Sequence, residues 1–122
     1  MKNIKIFIAL IVMSSLSATA QNKATESADK HFAKYEFVEA IEDYTKLVEN
    51  GKADTYVYAQ LGEANYNIFN TVESERWYAK ALETSEDAEM VYKYSQMLKA
   101  NEKYQEANAQ MERFAQLKPR DD

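Results

Sequence analysis

The stretch Leu61–Leu82, LGEANYNIFNTVESERWYAKAL, decides the fold, because the chain on both sides of it repeats its pattern. Leu61-Gly62 and Tyr66 mark one apolar face, and Tyr78 with Ala81-Leu82 marks a second, across a polar turn. Ala28, Gly62 and Ser95 are spaced by 34 and 33 positions, and Tyr44, Tyr78 and Met111 keep that spacing. Ala40, Ser74 and Ala107 follow it, as do Leu47, Ala81 and Phe114. A period of this size marks a stacked architecture, in which each unit buries its apolar face only against its neighbours. The expectation is an all-α chain of three helix-turn-helix hairpins, six antiparallel helices in all, over residues 21–54, 55–87 and 88–121. An ordinary six-helix bundle is the alternative.

Composition agrees. A chain of 122 residues has room for one domain. Its 46% hydrophobic and 12% aromatic content can fill a core, and two glycines with one proline favour helices joined by short turns over a β-rich fold. A net charge of −5 disfavours nucleic acid, whose phosphates need a basic face. With no cysteine there is no disulfide and no thiolate zinc site.

Residues 1–20 read as an export signal. Lys2 and Lys5 give a basic start, Ile6–Met13 is an unbroken apolar run, and Ala18-Thr19-Ala20 before Gln21 has the small-residue form that signal peptidase accepts. The apolar run is far short of the roughly 20 residues that span a bilayer. No cysteine follows it, which excludes lipid modification there. The mature chain is expected to start at Gln21, more acidic by the loss of Lys2 and Lys5, with no transmembrane helix and a periplasmic location.

Along the mature chain, a first helix is expected from near Thr25 to about Lys34, carrying Ala28, Phe32 and Tyr35. A second follows from Phe37 to Glu49, with Val38, Ile41, Tyr44, Leu47 and Val48 at helical steps. Asn50-Gly51 closes it, since glycine takes the left-handed conformation that helix ends need. Asp54 caps a third helix carrying Val57, Tyr58, Leu61, Ala64, Tyr66 and Ile68. Asn70-Thr71 with Glu73 starts a fourth that buries Trp77, Tyr78, Ala81 and Leu82. Ser85 caps a fifth, with Glu86 and Asp87 in its first turn and Val91, Tyr94, Met97 and Leu98 inside. The sixth, about Glu102–Leu117, shows Tyr104, Ala107, Met111 and Phe114 as one stripe, and Pro119 stops it. Gln105, Asn108, Glu112 and Gln116 would form its polar outer side, which suits the end of a stack.

These columns resemble the tetratricopeptide repeat (TPR), a hairpin of about 34 residues that stacks into a right-handed solenoid. His31, in place of the usual aromatic, and Leu47, in place of a usual alanine, make the first copy the weakest match. The resemblance implies a binding scaffold, with the first helix of each hairpin lining a concave groove. Laid on that pattern, the groove carries Asp29, Tyr56, Glu63, Asn67, Glu89, Tyr92, Gln96 and Lys99. Tyrosine offers an apolar face and a polar tip, and is enriched at interface hot spots. Tyr56 and Tyr92 either bind a partner there or only cover neighbouring helices. Tyr44, Tyr66, Tyr78, Tyr94 and Tyr104 fall in the core columns. TPR proteins that grip a carboxylate terminus use several Lys, Arg and Asn in the groove. Lys99 is the lone base here, so that activity does not transfer.

Little else in the chain points to chemistry. His31 is the sole histidine, so a histidine metal site or a Ser-His-acid triad lacks parts. Glu36, Glu39, Glu42 and Asp43 read as a solvated helix face, as do Glu73, Glu75, Glu86, Asp87 and Glu89. No glycine-rich phosphate loop occurs. No catalytic residue, cofactor or metal ligand is expected; a small enzyme is the reading from another class.

The exported start together with ADKHFAKYEFVEAIEDYTKLVENG, LGEANYN, RWYAKAL and YSQMLKANEKYQEANAQMERF resembles something narrower. These runs look like the N-terminal TPR segment of OmpA-family envelope proteins of Bacteroidota-type bacteria, some of which serve type IX secretion. The resemblance implies a protein or peptide partner in the cell envelope and an outer-membrane association. In such proteins a propeller-like region and a peptidoglycan-binding domain follow, so peptidoglycan binding transfers to no residue here. The chain is expected to be either the front module of such a protein or a free-standing periplasmic adaptor.

Overall fold

A computed structural model describes residues 23–118, which form six helices and, within that range, no strand. Helix α1 covers residues 23–33, and α2 Phe37–Glu49, α3 Thr55–Asn67, α4 Thr71–Ala81, α5 Ala88–Ala100 and α6 Tyr104–Leu117 follow. They pair as three antiparallel hairpins, each helix lying against the next in the chain. The expected leader and the stop at Pro119 lie outside the described residues. None of the described helices is long and apolar enough to cross a membrane.

Polar caps set several helix starts. The Asp54 carboxylate accepts from the Val57 amide at 3.1 Å and the Asn70 side chain from the Glu73 amide at 3.5 Å, satisfying donors that the first turn leaves open. Ser85 does not cap α5 as expected. The Asp87 carboxylate does, accepting from the Met90 amide at 2.8 Å, while Ser85 Oγ accepts from the Asp87 amide. The acid sits one residue before the helix, where its oxygen reaches the open amide directly.

The turn inside each hairpin has one shape. Tyr35, Phe69 and Glu102, again spaced by 34 and 33, take φ of 62°, 62° and 66°. The next residue's amide then reaches back across the turn. Glu36 donates to the His31 carbonyl at 2.9 Å, Asn70 to Asn65 at 2.9 Å and Lys103 to Leu98 at 2.8 Å. This is the left-handed helix stop normally given to glycine. The links between hairpins differ. Gly51, at φ 68°, makes the same closure from Lys52 to Leu47, but residues 82–87 hold no glycine and turn through bonds that span three residues, Glu83 to Lys80 and Thr84 to Ala81.

The core follows the repeat columns. Ala28, Gly62 and Ser95 are buried, as are Ala40, Ser74 and Ala107. Tyr44, Val57, Leu61 and Trp77 join Ala28 and Ala40 in one cluster. Gly62 is required by its neighbour, since a Cβ there would lie 2.6 Å from the Tyr78 ring. Ser74 Oγ donates to the Gly62 carbonyl at 2.8 Å and closes the same crossing.

Five residues expected on apolar faces are exposed. Tyr35 lies beyond the end of α1 and is 80% exposed. Val38 is 55% exposed, and Ile68 ends α3 as its C-cap with its side chain outward. Tyr104 is 57% exposed and Met111 partly so, leaving Ala107 as the buried residue of α6. The α6 stripe is regular, but nothing among the described residues packs on its far side.

Candidate functional site

Asp29, Glu63 and Gln96 occupy one register position in the three hairpins, each 15 residues before Tyr44, Tyr78 and Met111 respectively. In the first hairpin the Tyr44 hydroxyl donates to Asp29, which also accepts from Tyr56 of the next hairpin at 2.8 Å. In the second, the Tyr78 hydroxyl donates to Glu63 at 2.7 Å and Lys93 Nζ, from the third hairpin, lies 2.6 Å from the other carboxylate oxygen. The acid therefore bridges its own second helix and the following hairpin. In the third hairpin Met111 has no hydroxyl, and Gln96 has no hydrogen-bond partner among the described residues.

Electrostatics follow these contacts. Burial and then the Asp29 hydrogen bond push the Tyr44 hydroxyl well above the usual phenol range; burial and Glu63 do the same to Tyr78. Burial works against the Lys93 ammonium, but Glu63 and then Glu89 outweigh it and hold its pKa above the ordinary value.

The expected groove residues therefore separate. Tyr56 lines a hollow of about 540 Å³ with Asp29 and the Gly51–Asp54 link. Glu63 and Glu89 line a second with Phe32, Tyr78 and Lys93, of about 380 Å³, where Glu89 lies 3.4 Å from Lys93. Asn67 lines none of these hollows and donates to the Glu63 carbonyl one turn back, at 2.7 Å. Tyr92, Gln96 and Lys99 come together in a third hollow, of about 550 Å³, completed by Tyr66, Phe69, Met97, Ala100 and Tyr104.

This third hollow differs in kind from the other two. It holds four aromatic rings and one cation, with no carboxylate in its lining. Among the described residues Lys99 makes no ion pair, and the hydroxyls of Tyr66, Tyr92 and Tyr104 make no hydrogen bond. The Tyr92 ring rests on Phe114 at 5.4 Å between centroids, and Tyr66 meets Tyr78 edge-on at 6.5 Å. Two walls are thus braced from behind, while the donor groups stay unengaged.

Sequence reasoning placed Tyr66 and Tyr104 in the core and passed over Phe69 and Lys93. Tyr66 is half-buried and Tyr104 exposed, and both border the hollow. A signal for the acid–tyrosine pairs was present, since an acid precedes a tyrosine by 15 positions in two hairpins and both change together in the third, but it does not point to Lys93.

Several of the acids expected on a solvated face also make contacts within the chain, although Glu36, Asp87 and Glu89 are exposed as expected. Glu36 lies 2.5 Å from His31 Nδ1, and Asp43 accepts from Ser27 at 2.6 Å with His31 Nε2 at 3.8 Å. Glu75 accepts from Asn101 at 3.1 Å and from Lys103 at 2.8 Å, joining α4 to the third turn. Asp87 is the α5 cap. No cluster of three His, Asp or Glu suited to a metal ion occurs among the described residues. No protein-family model matches the chain, and no curated protein matches it either.

Proposed function

We propose that the chain is an exported TPR-type scaffold that binds a protein or peptide of the cell envelope through the face formed by α1, α3 and α5. The observation that carries this reading is the hollow between the second and third hairpins. There, Gln96 stands at the register position of Asp29 and Glu63 but makes no hydrogen bond among the described residues, and beside it lie four aromatic rings, the Lys99 ammonium and three tyrosine hydroxyls without a hydrogen-bond partner there. Partner binding rewards such a surface, because buried aromatic anchors supply most of the energy of an interface. The basic-apolar-small order of residues 1–20 supports a periplasmic location. The narrower envelope likeness supports a place at the outer membrane, as the front module of an OmpA-like protein or as an adaptor for an outer-membrane or secretion complex.

Site-specific photocrosslinking in the source bacterium tests the reading. A photoreactive residue at Tyr92 should capture a discrete envelope partner that the same group at Gln116, on the outer side of α6, does not. Equal labelling at both positions, or none at Tyr92, would overturn it.

A further inference from the structure

Resting on that reading, we infer that the face of α1, α3 and α5 takes an extended partner segment that carries charges of both signs, a cationic side chain and an anionic one about four to five residues apart. The three hollows differ in sign. Asp29 and Asp54 in the first, with Glu63, Asp87 and Glu89 in the second, outnumber Lys52 and Lys93 there. The third has Lys99 and no carboxylate. Helix α5 carries both signs on one stripe. Glu89, Tyr92, Gln96 and Lys99 follow at steps of three, four and three residues, which keep them on one side of a helix. Glu89 stands in the first turn, at the second hollow, and Lys99 in the last, at the third. At 1.5 Å of rise per residue they lie about 15 Å apart along the axis.

An acid at a helix start and a base at its end suit the helix dipole, and α2 and α4 show the same order. The bases differ in what they touch. Lys46 of α2 lies 3.4 Å from Asp43 and Lys80 of α4 lies 3.5 Å from Glu83, whereas Lys99 has no acid partner among the described residues. Its charge is left for an anion that those residues do not supply, and the tyrosine hydroxyls around it can donate to the same anion. At the other end Lys93 is shared between Glu63 at 2.6 Å and Glu89 at 3.4 Å, and the Glu89 side chain stays 77% exposed, open to a cation. A partner of one sign fails at one end or the other. A polyanion meets the carboxylates, a polycation meets Lys99, and like-charge contact is how an interface rejects a wrong partner. A segment with both signs satisfies both ends. An extended chain, at about 3.3 Å per residue, covers the span in about four to five residues. The half-exposed Tyr92 ring lies between the two charges and offers its face to an apolar side chain.

Fluorescence anisotropy on the purified full chain tests the inference with labelled peptides of equal length. One has lysines at one end and glutamates at the other across an apolar centre; an isomer has the same charges side by side in its centre; the others are oligolysine and oligoglutamate. The first is expected to bind saturably and most tightly, and added salt should weaken it, since exposed charges are screened over about 8 Å at physiological ionic strength. Lys99→Glu should weaken it by about tenfold and make oligolysine the better ligand. Lys34→Glu, the same change of net charge at an exposed residue that lines none of the three hollows, should leave affinity and preference unchanged. Both lysines are exposed, so these variants should fold, and circular dichroism checks that. Equal binding of the isomer, tighter binding of either single-sign peptide to the wild type, or equal effects of Lys34→Glu and Lys99→Glu would overturn the charge pattern. If no peptide binds while the Tyr92 crosslink persists, only the charge pattern falls. If both fail, the scaffold reading falls with it.

Discussion

In the second hairpin the Tyr78 ring fills the space beside Gly62, and its hydroxyl ends on a carboxylate that Lys93 also holds. In the third, the same positions carry Ser95, Met111 and Gln96. The Ser95 hydroxyl turns back to the Tyr92 carbonyl of its own helix at 2.6 Å, and Met111 offers only its sulfur. Where the second hairpin has Trp77, the third has Gln110, whose side-chain oxygen is buried without a partner. An unsatisfied buried acceptor costs about 1–3 kcal/mol. One unit is closed and internally satisfied; the other, with the same backbone, is left open. Gln96, at the position whose acid closes the second hairpin, lines the hollow proposed to bind a partner.

Breaking the closed unit should have the largest effect. Trp77 is buried and stacked on Tyr58, with the rings 9° from parallel. Trp77→Ala should cost about 3–5 kcal/mol, read as a fall in the urea midpoint. Gly62→Leu comes next, at about 1–3 kcal/mol, because the added side chain meets a Tyr78 ring that burial and Glu63 hold in place. If thermal denaturation shows neither loss, the packing described here is wrong.

Copying the closed unit onto the open one sharpens the contrast. Gln96→Glu with Met111→Tyr rebuilds the acid–tyrosine bond and should add about 0.5–1.5 kcal/mol of stability. The same double variant should weaken peptide binding in the hollow, because it consumes a free donor and adds an acid. A gain in both stability and affinity would separate the two properties.

The smallest effect lies in the first hairpin and depends on pH. The Ser27 hydrogen bond, opposed by burial and helped by Lys46 and His31, holds the Asp43 carboxyl below its ordinary value of 3.8. A folded-state pKa below the unfolded one gives stability that is present above about pH 4 and lost as pH falls through the folded value. Ser27→Ala should therefore lower the urea midpoint slightly at neutral pH, and the gap from wild type should close under acid. A gap that stays constant with pH would remove Asp43 from the explanation.

Apolar residues at helical steps and the Asn50-Gly51 stop were enough to place α2 at Phe37–Glu49, and the period of the small-residue columns placed the crossing at Gly62, because close helix packing admits few side chains. The left-handed turns were not legible in the same way. Their usual marks are glycine and asparagine, and this chain puts Tyr35, Phe69 and Glu102 there. The candidate site was half legible. The repeat resemblance named residues of α1, α3 and α5 as lining a groove, and the structure distributes all of them but Asn67 over three hollows. Which of those residues are already paired depends on helix rotation and on contacts 15 or 30 positions away, as for Glu63 with Tyr78 and Lys93. Tyr104 misled the reading because a regular stripe says which side of α6 is apolar, not whether anything lies against it.

The intra-hairpin turns carry one more consequence. Each is closed by the same main-chain bond, so the shape does not require one particular side chain at its left-handed position. A tyrosine, a phenylalanine and a glutamate occupy it in one chain with φ differing by 4° at most. Such a position gives evolution unusual latitude, because the chemistry displayed along one edge can be rewritten hairpin by hairpin while the joints beneath stay as they are.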